Sequence, residues 1–145
     1  MSVDRGFIER NRASLKRMYD LANRLTDDEL AHPVGEHWTV AIAFAHLTFW
    51  DRRALLTLNA TEQEGKLVAK DIDIVVNDIS LPLWAVIPPR HAVNIALETA
   101  ETLDHRLENY SADLLEVIHE YYPRWVERSA HRNTHLDEVE AALTQ

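Results

Sequence analysis

The chain has 145 residues, 46% of them apolar and 27% charged, enough for one domain with a real hydrophobic core and no need of disulfides or a structural metal to hold it. Fifteen Lys plus Arg against 24 Asp plus Glu leave a formal charge of −9, which repels phosphate backbones and anionic lipid and argues against nucleic acid or membrane partners. There is no cysteine, so disulfides, thiolate metal sites and a cysteine nucleophile are excluded, and any thiol chemistry must import its sulfur.

Three Gly and five Pro, with abundant Leu, Ala and Glu, point to helix rather than a turn-rich β protein. No apolar stretch approaches the roughly 20 residues that span a bilayer, and the opening residues carry no apolar signal core. A single cytoplasmic domain over residues 1–145 is expected, in which the glycosylation-like triplets at Asn59 and Asn109 are chance matches.

Residues 4–25 place Ile8, Leu15, Met18, Ala22 and Leu25 on one helical stripe. Thr26 to Glu29, "TDDE", reads as a capping box opening a short helix that stops near Pro33 and Gly35. A long helix is predicted from about Trp38 to Ala60, apolar all round through "VAIAFAHL", with Gly65 as its stop. The segment 71–80, "DIDIVVNDIS", alternates like a strand yet also carries helical spacing, and is read as irregular chain leading into a short helix. Pro88 and Pro89 suit the first turn of a helix running to about Asn109, with a seam of Val93, Ala96, Leu97, Ala100, Leu103 and Leu107. Ser111 caps a further short helix, and Pro123 is taken to begin the last one, ending near Leu143. Four long helices with no convincing sheet make an all-α, antiparallel four-helix bundle.

Eight histidines need sorting. His32, His37, His91, His105 and His119 fall in loops, at helix ends or among polar neighbours and read as solvated; His37, just before the buried helix, stands where a pocket mouth would be. "HRNTH" sets His131 and His135 four residues apart on one helix face, near enough to share an ion, at the margin of an arc holding Leu136 and Leu143. With so many histidines the spacing alone is as compatible with surface as with a site. His46 lies among hydrocarbon and aromatic neighbours, so its nitrogens need partners from another helix. Those partners are either a carbonyl, a Tyr or an Asp, or a metal ion shared with His131 and His135. Imidazole suits Zn, Ni, Fe or Cu without choosing among them.

Other chemistries lack their parts. Arg132 stands where a zinc protease carries its Glu, Glu101 and Asp104 belong to no evident di-iron ligand set, and phosphate loops and a GxSxG elbow are missing. The Trp and Phe of the second long helix read as core.

"GEHWTVAIAFAHLTFWD" near residue 40, followed by "HRNTHLDEVEAAL" at the C-terminus, resembles the DinB-like superfamily, in particular the branch related to the N-terminal domain of mycothiol-dependent maleylpyruvate isomerase. Trp38, His46, Leu47, Trp50, His131 and His135 fall on the family pattern, and the resemblance spans about residues 8–143. It implies an up-down-down-up four-helix bundle, commonly a homodimer, with a three-His divalent ion, Zn or Ni foremost and Fe or Mn as alternatives. The activity it implies is that of a low-molecular-weight-thiol S-transferase or isomerase acting on a small electrophile; a non-catalytic metal- or ligand-binding stress-response protein is the alternative. On that reading Asp51 or Glu138 would accept a hydrogen bond from a ligand imidazole, and Arg53 and Asn77 would line the substrate pocket.

Overall fold

A computed structural model describes residues 3–145, which form seven α-helices and one short two-stranded ribbon, a predominantly helical fold. Helix α1 (Gly6–Arg24) buries Phe7, Leu15, Met18, Leu21 and Ala22 at three- and four-residue spacing. Thr26 opens α2 (Asp27–Leu30) with both bonds of the capping box: Glu29 N–H donates to Thr26 Oγ1 at 3.2 Å and Thr26 N–H to Glu29 Oε1 at 3.0 Å.

The ribbon corrects the expectation of no sheet. Strand β1 (Pro33–Val34) pairs antiparallel with β2 (Trp38–Thr39), with Val34 opposite Trp38. Gly35, in the connecting turn, takes φ +69, a backbone that a Cβ would resist. The pairing holds Trp38 and Thr39 extended, so helix α3 (Val40–Glu64) starts two residues later than predicted; Thr39 Oγ1 caps it by accepting from Ile42 N–H at 3.2 Å. Every side chain from Val40 to Leu47 is buried, and the helix continues past Ala60 until Gly65, at φ +70, ends it.

The alternating "DIDI" forms no strand; it leads irregularly into α4 (Val76–Ala85), which lies on α3. Pro89 is the first residue of α5 (Pro89–Glu108), and Ser111 caps α6 (Ala112–Tyr121). Pro123 opens only a 3-10 turn (Pro123–Trp125), and the last helix, α7, runs Ser129–Leu143. The later start has a tertiary cause. The chain offers no capping side chain at Arg128, and Asn11 of α1 supplies one from outside: its Oδ1 accepts from Arg128 N–H at 2.8 Å and Ser129 N–H at 3.0 Å, while its Nδ2 donates to Val126 O at 2.9 Å.

Helix α1 packs on α5 and α7, and α3 packs on the same two, so the four long helices close a ring of contacts. Two apolar clusters fill it. One gathers Leu15, Met18, Phe44, Leu47, Val93 and Leu136; the other gathers Phe7, Leu58, Leu103, Leu107, Ile118 and Val126. Between them each long helix contributes buried polar side chains: Asn11 and Ser14 from α1, Asp51 from α3, Asp104 from α5, and Arg132 from α7, with Arg128 at its N-cap.

Arg132 is fully buried at the centre of this layer. Its Nη1 and Nη2 grip both oxygens of Asp104 at 3.0 and 2.8 Å, Nη1 also reaches Asn11 O at 3.2 Å and Ser14 Oγ at 3.3 Å, and Nη2 stands 3.5 Å from Asp51 Oδ2. Burial works against the guanidinium charge, and the carboxylates of Asp51 and Asp104 more than offset it, so its pKa lies above the ordinary value. No helix among the described residues is long and apolar enough to cross a membrane.

Removing one partner of a buried ion pair leaves the other uncompensated. Arg132→Met is therefore expected to cost about 3–5 kcal/mol in chemical denaturation. Asn11→Ala, which orphans two amides and a carbonyl, is expected to cost about 2–3 kcal/mol by the same measurement.

Candidate metal centre

His46 stands in the buried first half of α3, 4% exposed, with the Trp38 ring 4.7 Å and the Trp84 ring 5.7 Å from its own, centroid to centroid. The ribbon sets Trp38 there, and α4 sets Trp84. Helix α7 brings His131 and His135 from the other end of the chain, one turn apart. Ring centroids lie 5.1 Å apart for His46 and His131, 4.5 Å for His46 and His135, and 4.9 Å for His131 and His135. One nitrogen from each ring falls within 4.8 Å of the other two, so the three could hold one metal ion. The remaining histidines are elsewhere; His37 is exposed and takes no part in the cavity wall.

Hydrogen bonding orders the protons. Arg128 Nη2 lies 3.2 Å from His131 Nδ1, and since a guanidinium only donates, that nitrogen accepts. A neutral His131 then carries its proton on Nε2, which donates to His46 Nε2 at 3.1 Å. The proton of His46 is left on Nδ1, a buried atom with no hydrogen-bond partner. The Asn77 side chain favours the charged form of His46, and its Oδ1 accepts from Trp50 Nε1–H at 3.0 Å.

Burial, seconded by the neighbouring His135 and Arg128, lowers the His46 pKa to about 3, with Asn77 opposing. Burial, then Arg128 and the other two imidazoles, lowers that of His131 to about 2. Both rings are therefore neutral at neutral pH, the state in which imidazole ligates a metal.

One pair of donors already stands at the spacing of an ion's ligands. Nitrogens held about 2.0–2.1 Å from one centre stand about 3.0–3.4 Å apart, which brackets the 3.1 Å between His46 Nε2 and His131 Nε2. The third ring is oriented for it: His135 Nδ1–H donates to Glu138 Oε2 at 3.3 Å, leaving Nε2 as its lone pair. For His131 the fit carries a condition, because ligation through Nε2 moves its proton to Nδ1, where the Arg128 donor already points.

Asp51 does not serve an imidazole. Its Oδ1 accepts from Arg128 Nε at 2.9 Å and its Oδ2 faces Arg132, because two buried guanidiniums claim the charge first. Arg128, 3% exposed, thus connects the buried polar layer to the histidines. Sequence reasoning passed over it, and over Asn11, Asp104 and Arg132 as structural groups. For Arg132 the signal was present: it shares the stripe of Leu136, Val139 and Leu143, and a cation on an apolar stripe needs a buried carboxylate.

The imidazoles open into a cavity of about 810 Å³ whose wall includes Arg53 and Asn77 along with Trp38, Trp50 and Trp125. No family model, curated protein or solved structure matches the chain.

The depressed imidazole pKa values set a sign for acid stability. The unfolded chain takes up these protons near pH 6.5 and the folded one only far lower, so stability present above about 6.5 is lost as pH falls below it. In metal-free protein the melting temperature should drop between about pH 6.5 and 5, above the carboxylate range, and His131→Asn should flatten that slope; an unchanged slope in the variant contradicts the assignment.

Proposed function

We propose that this chain is a metal-dependent enzyme of the DinB-like type, in which His46, His131 and His135 hold one divalent ion, Zn or Ni foremost and Fe or Mn as alternatives. The observation that carries the reading is the convergence of imidazoles from α3 and α7 in the wall of a cavity large enough for a small molecule. Three neutral nitrogens leave coordination positions for an incoming ligand, as a catalytic ion requires. The ion would supply positive charge that lowers the proton affinity of a thiol or water beside it.

The chain's own groups supply the rest. Glu138 holds the Nδ1 proton of His135 and so aims its other nitrogen inward. Trp38 and Trp84 pack against His46, leaving the cavity as the way in. Arg128 adds a fixed positive charge beside His131, which favours a thiolate over a thiol. With no cysteine in the chain, the sulfur would be that of a low-molecular-weight thiol, and the reaction an S-transfer to, or isomerisation of, a small electrophile.

The remaining parts of the proposal are an up-down-down-up four-helix bundle forming a single domain, cytoplasmic residence and a homodimer. The ring of contacts among the four long helices supports the first. An exposed apolar stripe of Ile79 and Leu83 on α4 and Val86 just after it supports the last.

Untagged wild-type protein is expected to carry about one divalent ion per chain by elemental analysis, and His46→Ala and His131→Ala to carry none. Thiol transfer to a panel of electrophiles should vanish with the metal. Stoichiometric metal without turnover on any thiol would leave a non-catalytic metal-binding protein, and a metal-free wild type would defeat both readings.

A further inference from the structure

The cavity has two chemically different ends. Along α3, Arg53 follows His46 by seven residues, two turns or roughly 10 Å along the helix axis, with Trp50 one turn after the imidazole. Ahead of α7 the chain reverses the order: Arg124 and Trp125 lie in the 3-10 turn, and His131 and His135 follow. Both segments thus set imidazoles toward one end of the cavity wall and Arg53, Arg124 and Trp125 toward the other, with Arg128 beside His131.

The guanidiniums are in excess where the chain as a whole is strongly acidic. Arg53, Arg124 and Arg128 line the cavity against a single carboxylate, Asp71, whose Oδ1 lies 3.5 Å from the Tyr121 hydroxyl. Arg128 is ion-paired with Asp51, whereas Arg53 and Arg124 have no carboxylate within ion-pair distance among the described residues. Arg53 spends Nη1 on Thr57 Oγ1 at 3.0 Å and lays its plane over Trp125, with Cζ 5.0 Å from the ring centroid. Its Nε is buried and unpartnered, and Nη2 donates to no described group. Nη2 is therefore the donor left for a carboxylate oxygen, with the unpartnered Nε–H buried behind it on the same edge of the guanidinium. Tyr121 and Tyr122 pack around Trp125, with ring centroids 5.6 and 5.4 Å away, so a flat apolar body has aromatic surface to lie against.

We infer that the cavity selects small organic anions, with a carboxylate held by Arg53 and Arg124 beside Trp125 while the rest of the molecule extends toward the imidazoles. The inference rests on the proposed function only for which end is reactive; the anion subsite stands on its own residues. It narrows the substrate, or the thiol that carries the sulfur, to a carboxylate-bearing molecule of about 10 Å span.

The test compares 4-phenylbutanoate with its amide and with 4-phenylbutylamine, by titration calorimetry and tryptophan fluorescence of the full chain. The carboxylate is expected to bind about tenfold or more tightly than the amide, and the amine not at all. Arg53→Met should abolish the preference and the exposed Arg124→Met should reduce it, with melting temperature and metal content unchanged; Arg53→Lys should recover part of it. Equal binding of carboxylate and amide, no binding of any probe at millimolar concentration, or a preference surviving in the double variant overturns the inference. His131→Ala separates the two proposals: loss of metal with retained carboxylate preference supports the subsite as independent, and a metal-free wild type that still prefers the carboxylate defeats the metal reading alone.

Discussion

The fold turns on one guanidinium. Arg132 sits between the two histidines of α7, fully buried, and touches α1 through Asn11 and Ser14, α5 through Asp104 and α3 through Asp51. A charge in such a place is tolerable only with its counter-charges in position, so α7 has one depth and one rotation at which the layer closes. Apolar side chains alone tolerate sliding and repacking; a bidentate Arg–carboxylate pair does not. The register of α7 that satisfies Asp104 is the register that turns His131 and His135 toward His46.

Arg128 carries that constraint outward. Asp51 holds its Nε, the Arg124 carbonyl accepts from Nη1, and Nη2 meets His131. The buried layer therefore governs the imidazoles electrostatically as well as sterically. Burial keeps His46 and His131 neutral, Arg128 adds to that effect, and its donor at His131 Nδ1 orders the protons of that pair in one direction. An ion entering the site has to compete with the Arg128 donor for His131, whereas His135, already donating to Glu138, is set to ligate. The three ligands are unequal, and the inequality comes from the surrounding residues, since all three are the same side chain.

Much of the helical architecture was legible because it rests on local rules. The apolar stripe of α1, the Thr26–Glu29 box, the all-apolar start of α3 and the Pro89 entry into α5 each depend on residues within a turn or two of one another. Gly65 ended a helix for an equally local reason. Errors came where the backbone answers to a distant partner: Trp38 and Thr39 leave the helix to pair with Pro33 and Val34, and α7 waits until Ser129 because the side chain that caps it belongs to α1.

The sequence by itself determined that the chain would be helical, that His46 would be buried among aromatics and that His131 and His135 would share a face, because periodicity and composition are properties of adjacent residues. Only the tertiary structure decided which charges meet. Asp51 looked available to an imidazole and belongs to two arginines; Arg132 looked like a missing catalytic Glu and is the centre of the buried layer. Pairing across more than twenty-five residues of chain, as Arg132 does with Asp104, leaves no periodic trace, and its partner is chosen by desolvation, which exists only once the helices have packed.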